Sequence, residues 1–215
     1  MLDMIRRTFP APCSRSGRRR TATPFLSLGG GVLAIRTAHL VLQRLRLRHA
    51  EGGLDWGRLL GGMAGQDVVT GPKVIDLSPN GPTLPPLRLA VREGTYDHME
   101  FTVGPLEAGD PGTPAALAAH PELDGVSVRV TGLFNGFPFI YSSSLQAEAS
   151  LALRPPLLAP LSGHLGLPLP IDPYDWFRSE DVEHLMNPVV AATGLGAPEV
   201  VEANIAASLV RMVRH

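Results

Sequence analysis

The sequence predicts a mainly β protein, an antiparallel β-sandwich with short peripheral helices and a C-terminal helix. Three observations carry that prediction. Met99, Phe101 and Val103 alternate with His98, Glu100 and Thr102, the period-2 pattern of a strand with one wet face. Val126, Val128 and Val130 lead to Asn135-Gly136 and then to Phe139 and Tyr141, which is a hairpin around a pair of residues that tolerate positive φ. The longest alternation places Leu145, Ala147, Ala149, Leu151 and Leu153 on one face, so Gly94 to Arg154 reads as one antiparallel sheet region. With 23 Gly and 21 Pro in 215 residues, the chain suits short strands joined by turns better than long helices.

The remaining elements follow in order. Residues 1–28 read as a disordered or degenerate targeting tail, and 29–215 as a single domain. Between Val32 and His49 two patterns compete. Leu40 and Leu42 share one strand face and Leu45 and Leu47 the next, which a strand bulged near Gln43-Arg44 would unite. Ala38, Val41, Leu42 and Leu45 also fit a basic amphipathic helix, which strands Leu40 and Leu47 on its wrong side, so the strand is favoured. Residues 50–72 form a Gly-rich connection with a helical turn near Trp56. Lys73–Leu77 and Leu87–Val91 read as strands around a Pro79-Asn80-Gly81-Pro82 turn. Thr113, followed by Pro114, is placed as the N-cap of a short helix. Pro155-Pro156 is expected to end the long strand, and Leu165 to Ile171 to form an edge strand or arm because of Pro168 and Pro170. Ser179–Met186 reads as a short helix. Glu199–Arg214 reads as the terminal helix, with Val201, Ile205, Leu209 and Met212 as its stripe.

Net charge is −1, but it is unevenly placed: residues 1–58 carry 11 Arg against 3 acidic residues, and 59–215 carry 8 basic against 17 acidic. Six of those Arg lie in the stretch without hydrophobic period, so no nucleic-acid partner is expected. The single Cys13 cannot form an internal disulfide, and it follows Phe9-Pro10-Ala11-Pro12 rather than the apolar run of a lipid-attachment site. Arg18-Arg19-Arg20 followed by Pro24 to Ile35 has the order of a secretion signal, interrupted by three glycines. No apolar run reaches the about 18 residues of a membrane span.

Gly94-Thr95-Tyr96-Asp97, His120-Pro121-Glu122-Leu123-Asp124-Gly125-Val126 and Asn135-Gly136-Phe137-Pro138-Phe139 form an ordered series. They are followed by Asp172-Pro173-Tyr174-Asp175-Trp176-Phe177 and by Asn204-Ile205-Ala206-Ala207-Ser208-Leu209. Across residues 30–210 this series resembles an uncharacterised family of bacterial secreted proteins and lipoproteins with a transthyretin-like or immunoglobulin-like β-sandwich. The resemblance implies a location in the cell envelope, periplasm or exterior, and no known activity.

Candidate chemistry is sparse. His98 and Glu100 share the wet face of one strand, two residues apart, and could give two ligands to zinc or copper. His39, His120, His164 and His184 are candidates for a third ligand. The acidic group Asp172, Asp175, Glu180, Asp181 and Glu183 lacks the glycine and ligand spacing of a calcium loop. Ser142-Ser143-Ser144 lacks the setting of a nucleophile elbow. Tyr96, Trp176 and Phe177 read as core residues that would bind a glycan or peptide only if exposed. The first functional expectation is therefore a non-enzymatic envelope or secreted module, without cofactor, that binds or scaffolds an envelope protein or glycan. The second is a periplasmic copper- or zinc-binding protein using His98 and Glu100. The third is a hydrolase, which would require a nucleophile and a His converging in one cleft.

Overall fold

One long strand, β2 (Gly31–His49), organises the molecule. Its buried apolar side chains change phase twice: Leu33 and Ile35, then Ala38, Leu40 and Leu42, then Leu45 and Leu47. In an uninterrupted strand each one-residue offset would turn the next set to solvent. Each change of phase falls at a register shift. One lies between Ile35 and Thr37 opposite β7 (Val128–Phe134), the other between Leu42 and Arg44 opposite β6 (Gly94–Val103). Arg36 and Gln43 are thus the extra residues of two β-bulges, which keep all seven side chains on one core. The second bulge is the one the sequence predicts, and the helical alternative for this stretch is overturned. The Gln43 amide donates to the carbonyl of Pro105 at 3.3 Å and to Glu107 Oε1 at 2.5 Å, tying the bulge to the loop after β6.

The structure is a computed structural model. It describes residues 25–29, 31–50, 67–77, 79, 87–159, 163–167, 171–181, 183–194 and 198–211. Around β2 the main sheet runs β8 (Phe137–Ser143), β7, β2, β6, β9 (Ala147–Ala159). Also pairing with β2 are β1 (Leu26–Leu28), β3 (Val68–Thr70) and β4 (Lys73–Asp76). A separate pair joins β5 (Leu87–Ala90) to β10 (His164–Leu167). All of these pairings are antiparallel. The predicted turn holds, with Asn135 at φ 51° and Gly136 at φ 85°. Asn135 also closes the neighbouring edge, accepting from Val32 N–H at 2.7 Å through its side chain.

Several expectations are corrected. Ordered pairing begins at Leu26, inside the stretch read as a tail to residue 28. Helix α1 (Thr113–Ala119) starts at Thr113 itself. Gly112 occupies the N-cap, and the Thr113 side chain is buried rather than capping. Pro155-Pro156 does not end β9. The register passes from His98↔Ala152 to Tyr96↔Leu157, so Leu153 to Pro156 bulge out opposite Asp97, where no ladder donor is required. Ser179–Met186 is not a helix. Ser179 N–H donates to the His184 carbonyl and Met186 N–H to that of Phe177, a closed turn favoured by local side-chain bonds from Ser179 and Asp181. The helix lies just beyond, at α2 (Pro188–Ala192), capped by the Asn187 side chain with Pro188 in its first turn. The turn near Trp56, Gly81-Pro82, Pro168, Pro170 and Met212 lie outside the described residues.

The terminal helix α3 (Pro198–Arg211) buries Val201, Ile205 and Leu209 against the core. It meets the single-turn helix Asp175–Phe177, where Trp176 and Phe177 are fully buried. Trp176 Nε1–H donates to Ser208 Oγ at 3.1 Å, and Ser208 in turn donates to the Ile205 carbonyl at 2.6 Å. The Asn204 amide donates to the carbonyls of Trp176 and Arg178, at 3.1 and 2.8 Å. The Phe177 ring meets Phe139 and Tyr141 edge-on, at 5.9 and 5.5 Å.

Tyr141 gives the first testable expectation. Its hydroxyl is buried and makes no well-formed hydrogen bond among the described residues: the neighbouring Ser143 hydroxyl donates to Glu202 Oε1 at 2.5 Å and offers the phenol only a weak acceptor. Burial, reinforced by the Glu202 charge, pushes the phenol up to about 12. The fold therefore favours the protonated phenol. That stabilisation is complete below the unfolded value near 10 and is lost as pH rises from there toward 12. Tyr141→Phe should flatten this alkaline loss. It should also raise stability at neutral pH, by up to about 1 kcal/mol, since a poorly paired buried hydroxyl is removed. Urea unfolding of both proteins across that pH range measures it, and a loss of more than about 1 kcal/mol at neutral pH would mean the hydroxyl is paired after all.

Candidate metal centre

The residues singled out on β6 do not converge with a third ligand among the described residues. His98 Nδ1 lies 2.8 Å from Asp97 Oδ1. Glu100 faces Arg46 and Arg48, each at 3.5 Å, and Arg46 also pairs with Asp67 at 2.5 Å. These are partly exposed ion pairs on the wet face of the sheet, of the kind worth little to stability. Their arrangement spends the Glu100 carboxylate on guanidinium groups.

A different constellation does converge. On β2, His39 faces away from the main core, on the same face as Val41. Over that face lies the crossover that joins β6 to β7, carrying α1 and the single-turn helix Pro121–Leu123. Its apolar residues make a second small core: Val41, Leu106 and Leu123, with Val74, Ala116, Leu117 and Val126 packed on it. At the border of that core His120 and Glu122 descend beside His39. Potential ligand atoms of His39, His120 and Glu122 all lie within 4.8 Å of one another. Glu122 Oε1 is 3.7 Å from His39 Nδ1 and 3.5 Å from His120 Nδ1, and the two imidazoles meet at 5.1 Å. Arg129, opposite His39 on β7, donates to the backbone carbonyl of Glu122 at 3.3 Å and leaves its carboxylate available.

The electrostatics suit a cation. His39 is largely covered, with 13% of its side chain exposed. Burial holds its pKa below the ordinary histidine value, so the imidazole is neutral near pH 7 and offers a lone pair. The Glu122 carboxyl is held low, first by the Glu122 backbone N–H and then by His120, and is ionised. Two imidazoles and one carboxylate are a donor set that zinc or copper accepts.

Of the histidines considered as partners for His98, the structure thus joins two to each other. Pro121 and the two-residue spacing of His120 and Glu122 are visible in the sequence, but only the placement of the crossover over β2 brings His39 to them. A second group, Asp181, Glu183 and His184, is exposed. There Asp181 is held at about 2 by the Ser179 hydroxyl and the Glu183 N–H, and it also meets His184 Nδ1 at 3.2 Å. These bonds close the turn. In the acidic stretch, Asp172 accepts from Tyr174 N–H at 2.9 Å and Asp175 pairs with Arg178 at 2.9 Å. Ser143 is buried, its hydroxyl bound to Glu202 rather than to an imidazole. Tyr96, Trp176 and Phe177 are core residues. Among the described residues no helix is long and apolar enough to cross a membrane.

The chain matches no protein-family model, no curated protein and no solved structure.

Proposed function

We propose that this protein is a non-enzymatic β-sandwich module that binds one divalent transition metal, zinc or copper, at His39, His120 and Glu122. The observation that carries the reading is the convergence of these three groups from a strand and a crossover 81 residues apart, with the largely covered His39 imidazole neutral. The metal would fasten the crossover to the sheet. This keeps the expectation of a metal-binding protein and moves its site from His98 and Glu100 to the border of the crossover, on the same non-core face of the sheet. A setting in the bacterial cell envelope is proposed with it, on the sequence resemblance alone.

Metal content after loading and desalting tests the reading. One zinc or copper per chain is expected, with the affinity about tenfold or more weaker in His120→Ala, a loss of at least about 1.4 kcal/mol of binding. His98→Ala should leave it unchanged. A wild-type protein that retains no stoichiometric metal overturns the proposal. Cell fractionation with N-terminal sequencing tests the location, and an unprocessed cytoplasmic product would overturn that part.

A further inference from the structure

Three ligands leave a zinc-type ion one position short of a tetrahedron, and what fills that position decides what the site does. A catalytic centre keeps it open to water or substrate, whereas a structural centre closes it with a fourth side chain. Among the described residues beside His39, one is placed to close it. Antiparallel pairing of β2 with β4 sets Asp76 directly opposite His39. Directly opposed residues share a face of the sheet, with Cβ atoms about 4.5–5.5 Å apart. Val41↔Val74, the next pair on that face, lies under the crossover, so Asp76 and His39 stand together at its border. On the far side of His39 the opposed residue is Arg129, a cation that cannot ligate. The row Asp76, His39, Arg129 therefore offers one anionic neighbour, on one side only.

We infer that Asp76 is the fourth ligand of this metal, completing a closed site of two imidazoles and two carboxylates. The inference rests on the metal-binding reading above. The Asp76 oxygens stand outside the 4.8 Å cluster formed by His39, His120 and Glu122, so ligation turns the short side chain about χ1, away from its present contact and toward the ion. Charge supports the assignment, since Glu122 and Asp76 together neutralise a divalent ion beside the Arg129 guanidinium. The closed site links β2, β4 and the crossover through one centre. It has no position left for a substrate, so the ion is a structural fastener of the zinc type.

Cobalt(II) replaces zinc and reports its coordination number through its visible absorption. The cobalt-loaded wild-type protein should show the intense bands of a four-coordinate centre, unchanged by added azide. Asp76→Ala should still bind, about tenfold or more weakly, since loss even of an outer hydrogen-bonding partner commonly costs 10- to 100-fold. Its spectrum should respond to azide, which enters the opened position. Asp76→Asn separates charge from ligation and should fall between the two. Asp76 is exposed, so these variants should keep the wild-type circular dichroism. Wild-type binding that is lost in His120→Ala but untouched in affinity and spectrum by Asp76→Ala overturns this inference alone. An azide-sensitive wild-type spectrum does the same. A wild-type protein that takes up neither cobalt nor zinc overturns the metal reading, and this inference with it.

Discussion

Trp176→Ala is expected to destabilise the protein by about 4 kcal/mol, within the range for deleting a large aromatic from a packed core. Trp176 is fully buried beneath the terminal helix, and its indole N–H is bound to Ser208. Truncation opens a cavity between α3 and the sheet and withdraws the donor in a place that water does not reach. Trp176→Phe restores most of the volume and loses only the hydrogen bond, so about 1 to 1.5 kcal/mol is expected for it. Because Ser208 still donates to the Ile205 carbonyl, its proton is not stranded. Urea unfolding followed by circular dichroism measures both. A cost below about 1 kcal/mol for the alanine variant would show that α3 is not seated as described.

Gly132→Ala should be the other severe substitution, at about 3 kcal/mol, at the upper end of the usual cost of overpacking. Gly132 lies on β7 opposite Ile35, at the first bulge of β2. A Cβ there would stand 2.2 Å from the Ala34 carbonyl oxygen and 2.9 Å from a ring carbon of Phe139. The ring could turn aside, but the carbonyl belongs to the strand backbone and cannot move without disturbing the bulge. Trimming the ring should therefore give no relief: Gly132→Ala with Phe139→Leu should be at least as unstable as Gly132→Ala alone. If the double variant recovers wild-type stability, the ring and not the backbone sets the requirement for glycine.

The parts of the fold legible in the sequence are those whose signal is local. Met99, Phe101 and Val103 announce β6 by themselves, and Asn135-Gly136 announces its own turn because both residues tolerate positive φ. The Gln43 bulge could be read because Leu40-Leu42 and Leu45-Leu47 are out of phase on either side of it. The Arg36 bulge has the same form, but the first core residue after it is the small Ala38, too slight a marker beside Leu33 and Ile35. Pro155-Pro156 misled because a proline pair ends a strand only where the partner strand needs its N–H, and here β6 does not. The clasp of Asn204 and Ser208 on Trp176 lies within the two motifs quoted for the family resemblance, whose residues prove to bind one another. The metal centre was least legible. His39 stands in a strand and His120 and Glu122 in a connection, and nothing but the crossing of one over the other relates them.

The length of β2 has a consequence for synthesis. The strand is complete at His49, yet its first half has to wait for β7, which ends at Phe134, about 85 residues later. At about 5–20 residues per second a ribosome takes roughly 4–17 s to supply them. Until then the first half of a 19-residue strand rich in Leu, Val and Ile lacks its β7 partner, the condition in which strands of different chains pair with one another. Arg36, Arg44, Arg46 and Arg48 are spaced along it. Repulsion between like charges on adjacent nascent chains makes these arginines gatekeepers against aggregation before they become the wet face of a finished sheet.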